Sequence, residues 1–154
     1  MRFLTDWIAR QIRGAPTQAL PRDLIADAQV CASRSDLILH MPRRGRVGLF
    51  GASDLAEEIT AISAPLELLV LERDLAEWSQ SASFDWLYLD APDMSAAMRG
   101  AARLLKPGGY LIAHAFADKR RAAIVNFMCE ARWPLAWWAF DADARYDVAL
   151  RKPE

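Results

Sequence analysis

The sequence LLKPGGYLIAHAF, residues 104–116, decides the fold of this chain. An amphipathic stripe that includes Met94, Met98 and Ala101 precedes it and predicts a helix. The Lys-Pro-Gly-Gly segment should end that helix, because glycine readily takes the positive φ found at helix ends and proline cannot continue the helix. The apolar run that follows, residues 110–116, predicts a buried strand. This segment therefore predicts the helix-to-strand connection of an α/β sheet.

Three more apolar runs precede this segment: RVGLF (46–50), LELLVLE (66–72) and FDWLYLD (84–90). The first run is closed by Gly51, after which residues 54–62 have the pattern of a helix. Short continuous apolar runs are typical of strands that helices cover on both faces. The alternation of strands and helices predicts a mostly parallel sheet with right-handed crossovers.

The C-terminal part of the chain has a different pattern. A helical stretch over residues 119–133 ends at Pro134, and the runs 135–140 and 145–152 flank the polar turn DADA. Two strands joined by a short polar turn predict an antiparallel hairpin. We therefore expect an antiparallel C-terminal pair to complete the parallel sheet.

The N-terminal region, residues 1–42, is predicted to be a helical cap on a Rossmann-like core of residues 46–152. Apolar residues recur at helical spacing as far as Ile12, which predicts a first amphipathic helix. Residues 21–40 predict one longer helix or two short ones, which end before Pro42. At 154 residues, the cap and the core are expected to form one domain.

Charge and composition exclude several classes of partner. The formal net charge of −1, from 19 basic and 20 acidic side chains, provides no field for binding nucleic acid or an anionic membrane. The N-terminal segment carries charges among its apolar residues and resembles neither a signal peptide nor a membrane span, so we expect a cytoplasmic protein. Cys31 and Cys129 fall in predicted helices without neighbours at metal-binding or CxxC spacing, and are expected to be buried thiols.

Residues 46–152 resemble the class I S-adenosylmethionine (SAM) dependent methyltransferases, particularly their small O-methyltransferase-like branch. A helix that ends in LKPGG before an apolar strand is typical of the fifth strand of that superfamily. FDWLYLDAPD, residues 84–93, resembles the strand before it, and the two C-terminal runs resemble the antiparallel sixth and seventh strands. The resemblance implies a Rossmann-like α/β fold and methyl transfer from SAM to a small-molecule acceptor.

The resemblance also implies where the site lies, because ligands of open α/β sheets bind beyond the carboxyl ends of the strands. The turn at Gly51 would approach the methionine part of SAM, and Glu72 would accept hydrogen bonds from both ribose hydroxyls. Asp90 and His114 would be the catalytic residues near the acceptor, with His114 able to take a proton near neutral pH. The implied cofactor-binding residues are Gly51, Ala52, Ser53, Glu72, Arg73, Asp90 and Ala91.

Two features depart from the pattern of the family. Leu49 stands where the family has an acidic residue near the end of its first strand, and Gly51 alone clearly remains of the glycine-rich turn. Without this acidic residue, the SAM ammonium group would lose a charge-assisted hydrogen bond, and the binding free energy would weaken by about 1.5–3 kcal/mol. Residues 73–83 have room for one helix and no strand, so we expect the usual third strand to be missing.

Each candidate residue also has an interpretation that involves no ligand. Glu72 and Asp90 can simply mark the ends of buried strands, and His114 can be a packed histidine that is hydrogen-bonded to the backbone. Asp93 is the only further candidate metal ligand near Asp90 and His114, so the sequence predicts no metal site.

Trp137 and Trp138 are expected to point to opposite faces of a strand that lies at the sheet edge in the family. This aromatic edge is either covered by the N-terminal helices or used in self-association. The main alternative function is therefore a catalytically degenerate methyltransferase fold, which acts as a non-catalytic subunit or homodimer through this edge or the N-terminal helices. A third interpretation is a Rossmann-type domain for another nucleotide, because RVGLFGASDLAEEI also resembles the start of such folds.

Overall fold

The computed structural model describes residues 20–72, 74–78, 81–115, 118–140 and 146–154. Within these residues the strands are β1 (Gln29–Cys31), β2 (Arg46–Phe50), β3 (Glu67–Val70), β4 (Phe84–Leu89), β5 (Leu105–Ala115), β6 (Leu135–Phe140) and β7 (Tyr146–Arg151). The helices are α1 (Arg34–Leu39), α2 (Ala56–Ser63), α3 (Met94–Leu104) and α4 (Asp118–Ala131), and 3-10 turns lie at Arg22–Leu24, Ser53–Leu55 and Leu75–Glu77. No helix among the described residues is long and apolar enough to cross a membrane.

The strands form one sheet in the order β1-β6-β7-β5-β4-β2-β3. Only β7 is antiparallel to its neighbours, and the other described strand pairs are all parallel. The chain passes from β3 to β4 through a 3-10 turn, and the described residues of this connection contain no strand. The sheet therefore has the predicted Rossmann-like architecture with its antiparallel C-terminal pair, and the third strand predicted to be missing does not occur among the residues that the structure describes.

Helices cover both faces of the sheet, which gives the protein two apolar layers. On one face, Met98 of α3 and Met128 of α4 belong to the same buried cluster as Leu87 of β4. On the other face, Ile38 of α1 and Ile59 of α2 belong to a second cluster. Alternate residues of a strand point to opposite faces, so the apolar runs of β2, β4 and β5 supply side chains to both layers.

The N-terminal region differs from the predicted helical cap. Residues 21–40 form a 3-10 turn, the strand β1 and the helix α1 in place of one or two helices. Strand β1 pairs in parallel with β6, and Ser33 then starts α1 because its hydroxyl accepts a hydrogen bond from the Asp36 amide. Pairing with the open edge of β6 therefore stabilises a strand where the local pattern predicted a helix. Cys31 is buried in this strand and does not lie in a helix. The predicted first helix, up to Ile12, lies outside the described residues.

Strand β6 is consequently not the sheet edge, because β1 covers it. Trp138 is fully buried, and the ring of Trp137 stacks on His40 at the end of α1, with ring centroids 5.0 Å apart. Both tryptophans are therefore covered, one by the core and the other by the helix end. Cys129 lies in α4, as predicted, but it is partly exposed, so the predicted burial is wrong for this residue.

The LKPGG segment ends α3 at Leu104, but it belongs to the start of β5. The pairing of β4 with β5 shifts register between Phe84 and Trp86, which accommodates the two glycines. Gly108 has a φ of 78°, and its amide donates a hydrogen bond to the Lys152 carbonyl at 2.9 Å. The strand β5 therefore begins directly where the helix α3 ends, without a loop between them.

We expect Gly51→Ala to destabilise the protein more than Gly108→Ala. Both glycines have positive φ, which costs an L-residue about 1–2 kcal/mol. A Cβ at position 51 would also lie 2.0 Å from the Asp90 backbone oxygen, whereas at position 108 the nearest atom is the flexible Glu154 carboxylate at 3.3 Å. Urea unfolding should show a loss at least about 1 kcal/mol larger for Gly51→Ala. Equal losses for the two variants would contradict the close approach at Gly51.

Candidate functional site

A crevice of about 430 Å³ opens at the carboxyl ends of β2, β3 and β4. This volume is in the range of small-molecule sites. Its apolar walls include Phe50, Leu75 and Ala97, and three carboxylates also line it. These carboxylates belong to Glu72, Asp74 and Asp93. The site is therefore an apolar cleft with acidic groups around it.

A second cavity of about 320 Å³ shares Glu72 and Ala91 with this crevice and adds Gly51, Ser53 and Asp90. Five of the seven predicted cofactor-binding residues thus line one continuous region at a single rim of the sheet. Ala52 does not, because it is buried in the core layer of α1 and α2. Arg73 lies outside the described residues.

The backbone around position 51 leaves room only for glycine. The Asp90 amide donates a hydrogen bond to the Phe50 carbonyl at 2.8 Å, which draws the ends of β2 and β4 together. The Asp90 carbonyl then occupies the space that a side chain at position 51 would need. The tight turn leaves the Gly51 backbone open to the second cavity.

Glu72 and Asp90 differ in their surroundings. The Glu72 side chain is exposed at the end of β3 and lines both cavities. The Asp90 carboxylate accepts a hydrogen bond from the Arg120 guanidinium at 2.6 Å. Arg120 lies in α4, within the basic run 119–121, and sequence reasoning did not identify it as part of this rim. Asp90 is therefore a paired carboxylate at the crevice.

Leu49 occupies the position at which the family has an acidic residue, and it is fully buried. It packs in the same apolar layer as Val47 and Ile59, and its carbonyl accepts a hydrogen bond from the Leu71 amide at 2.7 Å. Leu49 thus contributes to the core and offers no polar group to the crevice.

His114 lies at the end of β5 and lines neither cavity; it belongs to a mostly buried polar cluster that we call the Asp147 cluster (Arg34, Tyr88, His114 and Asp147). Its Nδ1 atom is 2.7 Å from Asp147 Oδ1. The Tyr88 hydroxyl donates to the same oxygen at 2.8 Å, and Arg34 Nε donates to the other oxygen at 2.7 Å. Asp147, with 3% of its surface exposed, therefore has three side-chain partners.

Charge pairing explains how this cluster can be buried. An isolated buried carboxylate is costly, and Arg34 supplies the compensating positive charge to Asp147. Burial, together with the negative charge of Asp147, raises the pKa of Tyr88 far above its usual value, so Tyr88 is a neutral hydrogen-bond donor. Arg34 Nη2 also lies 3.5 Å from His114 Nδ1, and the shorter contact, to Asp147, favours the tautomer that carries its proton on Nδ1.

Cys31 has two neighbours in space that the sequence spacing did not indicate. Its sulfur, a carboxylate oxygen of Asp36 and a ring nitrogen of His40 all lie within 4.8 Å of one another. Burial raises the pKa of the Cys31 thiol to about 11, and the Asp36 charge adds to this effect. Asp36 and His40 follow Cys31 closely in sequence, but their approach depends on β1 and α1, which the sequence pattern did not reveal.

Comparison with solved structures relates this arrangement to known proteins. A SAM-dependent O-methyltransferase of Thermotoga maritima matches with a TM-score of 0.52 at 12% identity, over 77% of this chain and 63% of that one. A predicted O-methyltransferase of Agrobacterium tumefaciens matches with a TM-score of 0.51 at 17% identity, over 78% and 81%. The N-methyltransferase NodS of Bradyrhizobium japonicum matches with a TM-score of 0.50 at 16% identity, over 79% and 95%.

No protein-family profile and no curated protein matches the chain by sequence. At the identities above, the structural matches establish the fold and leave the activity to be argued from the site. The sheet order, the antiparallel β7 and these matches agree with one another. The chain therefore has the fold of the class I SAM-dependent methyltransferases.

Proposed function

We propose that this protein binds SAM in the crevice and transfers its methyl group to a small-molecule acceptor. The observation that carries this proposal is the meeting of Gly51, Glu72 and Asp90 at one rim, beside a cavity of about 430 Å³. In open α/β sheets this rim is the usual ligand site. The structural neighbours include a SAM-dependent O-methyltransferase and an N-methyltransferase, which supports the same cofactor without identifying the acceptor.

The residues of the crevice fit most of the cofactor. Glu72 is exposed and can accept hydrogen bonds from ribose hydroxyls, while Phe50 and Leu75 offer apolar surface to the adenine ring. The Gly51 backbone can approach the methionine part of SAM without a side chain in the way. Leu49 offers no charge to the SAM ammonium group, so we expect weaker binding than the family pattern implies. When bound, SAM supplies the electrophilic methyl group.

His114 is the proposed general base for the acceptor. Asp147 holds the Nδ1 side of the imidazole, and proton transfer to the ring requires an acceptor that extends beyond the residues lining the two cavities, because His114 is not among them. Asp147 also stabilises the imidazolium that this transfer produces, because the two groups are 2.7 Å apart in a buried site. Asp90, fixed by Arg120, provides a carboxylate near the acceptor end of the crevice.

The buried Leu49 favours a second candidate, a catalytically degenerate fold that acts as a non-catalytic subunit or a homodimer. Without a partner for the ammonium group, the crevice can lose SAM binding while the fold persists. Because β1 covers β6, the surface proposed for this role is the outer edge of β1, where the sheet ends on that side.

Isothermal titration calorimetry with S-adenosylhomocysteine tests the cofactor site. We expect one binding site, and Glu72→Gln should weaken binding about 10-fold or more, because charge-assisted hydrogen bonds to the ribose are lost. Glu57→Gln, which removes an exposed carboxylate on α2 away from the crevice, should leave affinity unchanged. No heat at millimolar ligand would remove the transferase proposal and support the non-catalytic one. Equal losses of affinity in the two variants would show that the ligand does not contact Glu72.

The proposed base requires the Nδ1–H tautomer of neutral His114. Long-range ¹H–¹⁵N NMR correlations distinguish the two ring tautomers, and the chain has only two histidines, so His40→Gln assigns the signals. We expect His114 to carry its proton on Nδ1, because Asp147 Oδ1 accepts it. A proton on Nε2 in the unliganded protein would exclude the proposed base.

Variants of the Asp147 cluster should lose stability in proportion to the contacts removed. Tyr88→Phe removes one hydrogen bond and should cost about 1 kcal/mol. Asp147→Asn leaves Arg34 without its countercharge and should cost about 3 kcal/mol. Urea unfolding with circular dichroism measures both losses. An Asp147→Asn variant as stable as the natural protein would show that the cluster does not hold this rim together.

A further inference from the structure

Three residues outside the crevice bring a thiol, a carboxylate and an imidazole together. Cys31 is the last residue of β1, Asp36 lies in the first turn of α1, and His40 caps the carboxyl end of α1. Their potential ligand atoms lie within 4.8 Å of one another, with Cys31 buried and His40 exposed. Sulfur, nitrogen and carboxylate oxygen are the three ligand types that Zn²⁺ uses in proteins.

Local chain geometry brings these groups together. Asp36 and His40 are four residues apart, so they project from the same face of α1. Ala32 and Ser33 connect β1 to α1, and Cys31 belongs to the same buried cluster as Leu37 and Ile38 of α1. Because Ser33 also caps α1 through the Asp36 amide, the turn and the helix start are fixed together.

Neighbouring groups orient two of the three side chains. Asp36 Oδ2 accepts a hydrogen bond from the Ala32 amide at 3.1 Å, which holds the carboxylate beside the turn. The His40 ring stacks on Trp137, with centroids 5.0 Å apart and an interplanar angle of 14°. Stacking uses the face of the imidazole, whereas a metal binds in the ring plane, so the contact fixes His40 without competing for its nitrogens.

We propose that Cys31, Asp36 and His40 bind a zinc ion, with water as the fourth ligand. A thiolate and a carboxylate would balance its two positive charges. Zinc–ligand bonds are about 2.0–2.3 Å, so the ligand atoms of a tetrahedral site lie somewhat closer together than the 4.8 Å limit found here. Small side-chain rotations close that difference, and the exposed His40 leaves a path for the ion to enter.

The position of this site places the ion beside the Asp147 cluster and away from the crevice. Cys31 pairs with Ala139 and Ala139 with Asp147 in register across β1, β6 and β7, so Cys31 lies two strands, or about 10 Å, from Asp147. Zinc would tie α1 to β1, and α1 begins with Arg34, which pairs with Asp147. The crevice lies near the opposite edge of the sheet, so this inference does not depend on methyltransferase activity.

Zinc titration of the full chain without a histidine tag, after chelator treatment, tests the proposal. Calorimetry should show one Zn²⁺ per chain. Substitution of Co²⁺ should give a thiolate charge-transfer band and the intense visible absorption of a tetrahedral site. Cys31→Ser, Asp36→Asn and His40→Gln should each weaken Zn²⁺ binding by more than about 100-fold, beyond the usual effect of losing an outer hydrogen bond. Cys129→Ser removes the other cysteine and should change neither result.

Several outcomes would overturn the proposal. One is the absence of stoichiometric Zn²⁺ binding, and another is a cobalt–thiolate band that survives Cys31→Ser and disappears in Cys129→Ser. A third is tight Zn²⁺ binding by a folded His40→Gln variant. Because His40 is exposed at a helix end, this variant should retain the circular dichroism of the natural protein even if the substitution at buried Cys31 does not.

Discussion

Parallel pairing of β2 with both β3 and β4 is the constraint on which the crevice depends. Hydrogen bonds continue beyond the strand ends, from the Leu71 amide to the Leu49 carbonyl and from the Asp90 amide to the Phe50 carbonyl. These bonds bring the residues that follow three strands to one rim. The turn at Gly51, the exposed Glu72 and the paired Asp90 share a crevice because their strands end there together.

The Asp147 cluster extends the same rim across the sheet. Strand β7 is antiparallel, so its first residues lie beside the last residues of β5, and Asp147 pairs in register with His114. Tyr88 of β4 and Arg34 of α1 complete the contacts of the buried carboxylate. One buried carboxylate thus connects three strands and a helix, and its ion pair requires the helix that carries Arg34.

Local signals were sufficient for much of this fold. The LKPGG segment and the apolar runs predicted β2 to β7, and the short segment after Glu72 predicted the missing third strand. Strand β1 escaped prediction because three residues acquire strand structure only on the open edge of β6. The Asp147 cluster escaped for the same reason, since its contacts join residues between 33 and 113 positions apart and leave no local pattern. Close placement of Gly51, Glu72 and Asp90, by contrast, follows from parallel topology alone.

The most direct measurement is mapping of backbone amide chemical shifts by ¹H–¹⁵N NMR as S-adenosylhomocysteine is added. The proposed site requires shifts at the carboxyl ends of β2, β3 and β4, at Gly51, Glu72 and Ala91. Amides at the amino ends of the strands, such as Gly45 and Gly109, should remain unchanged. Shifts at that opposite rim, or none at saturating ligand, would contradict the account.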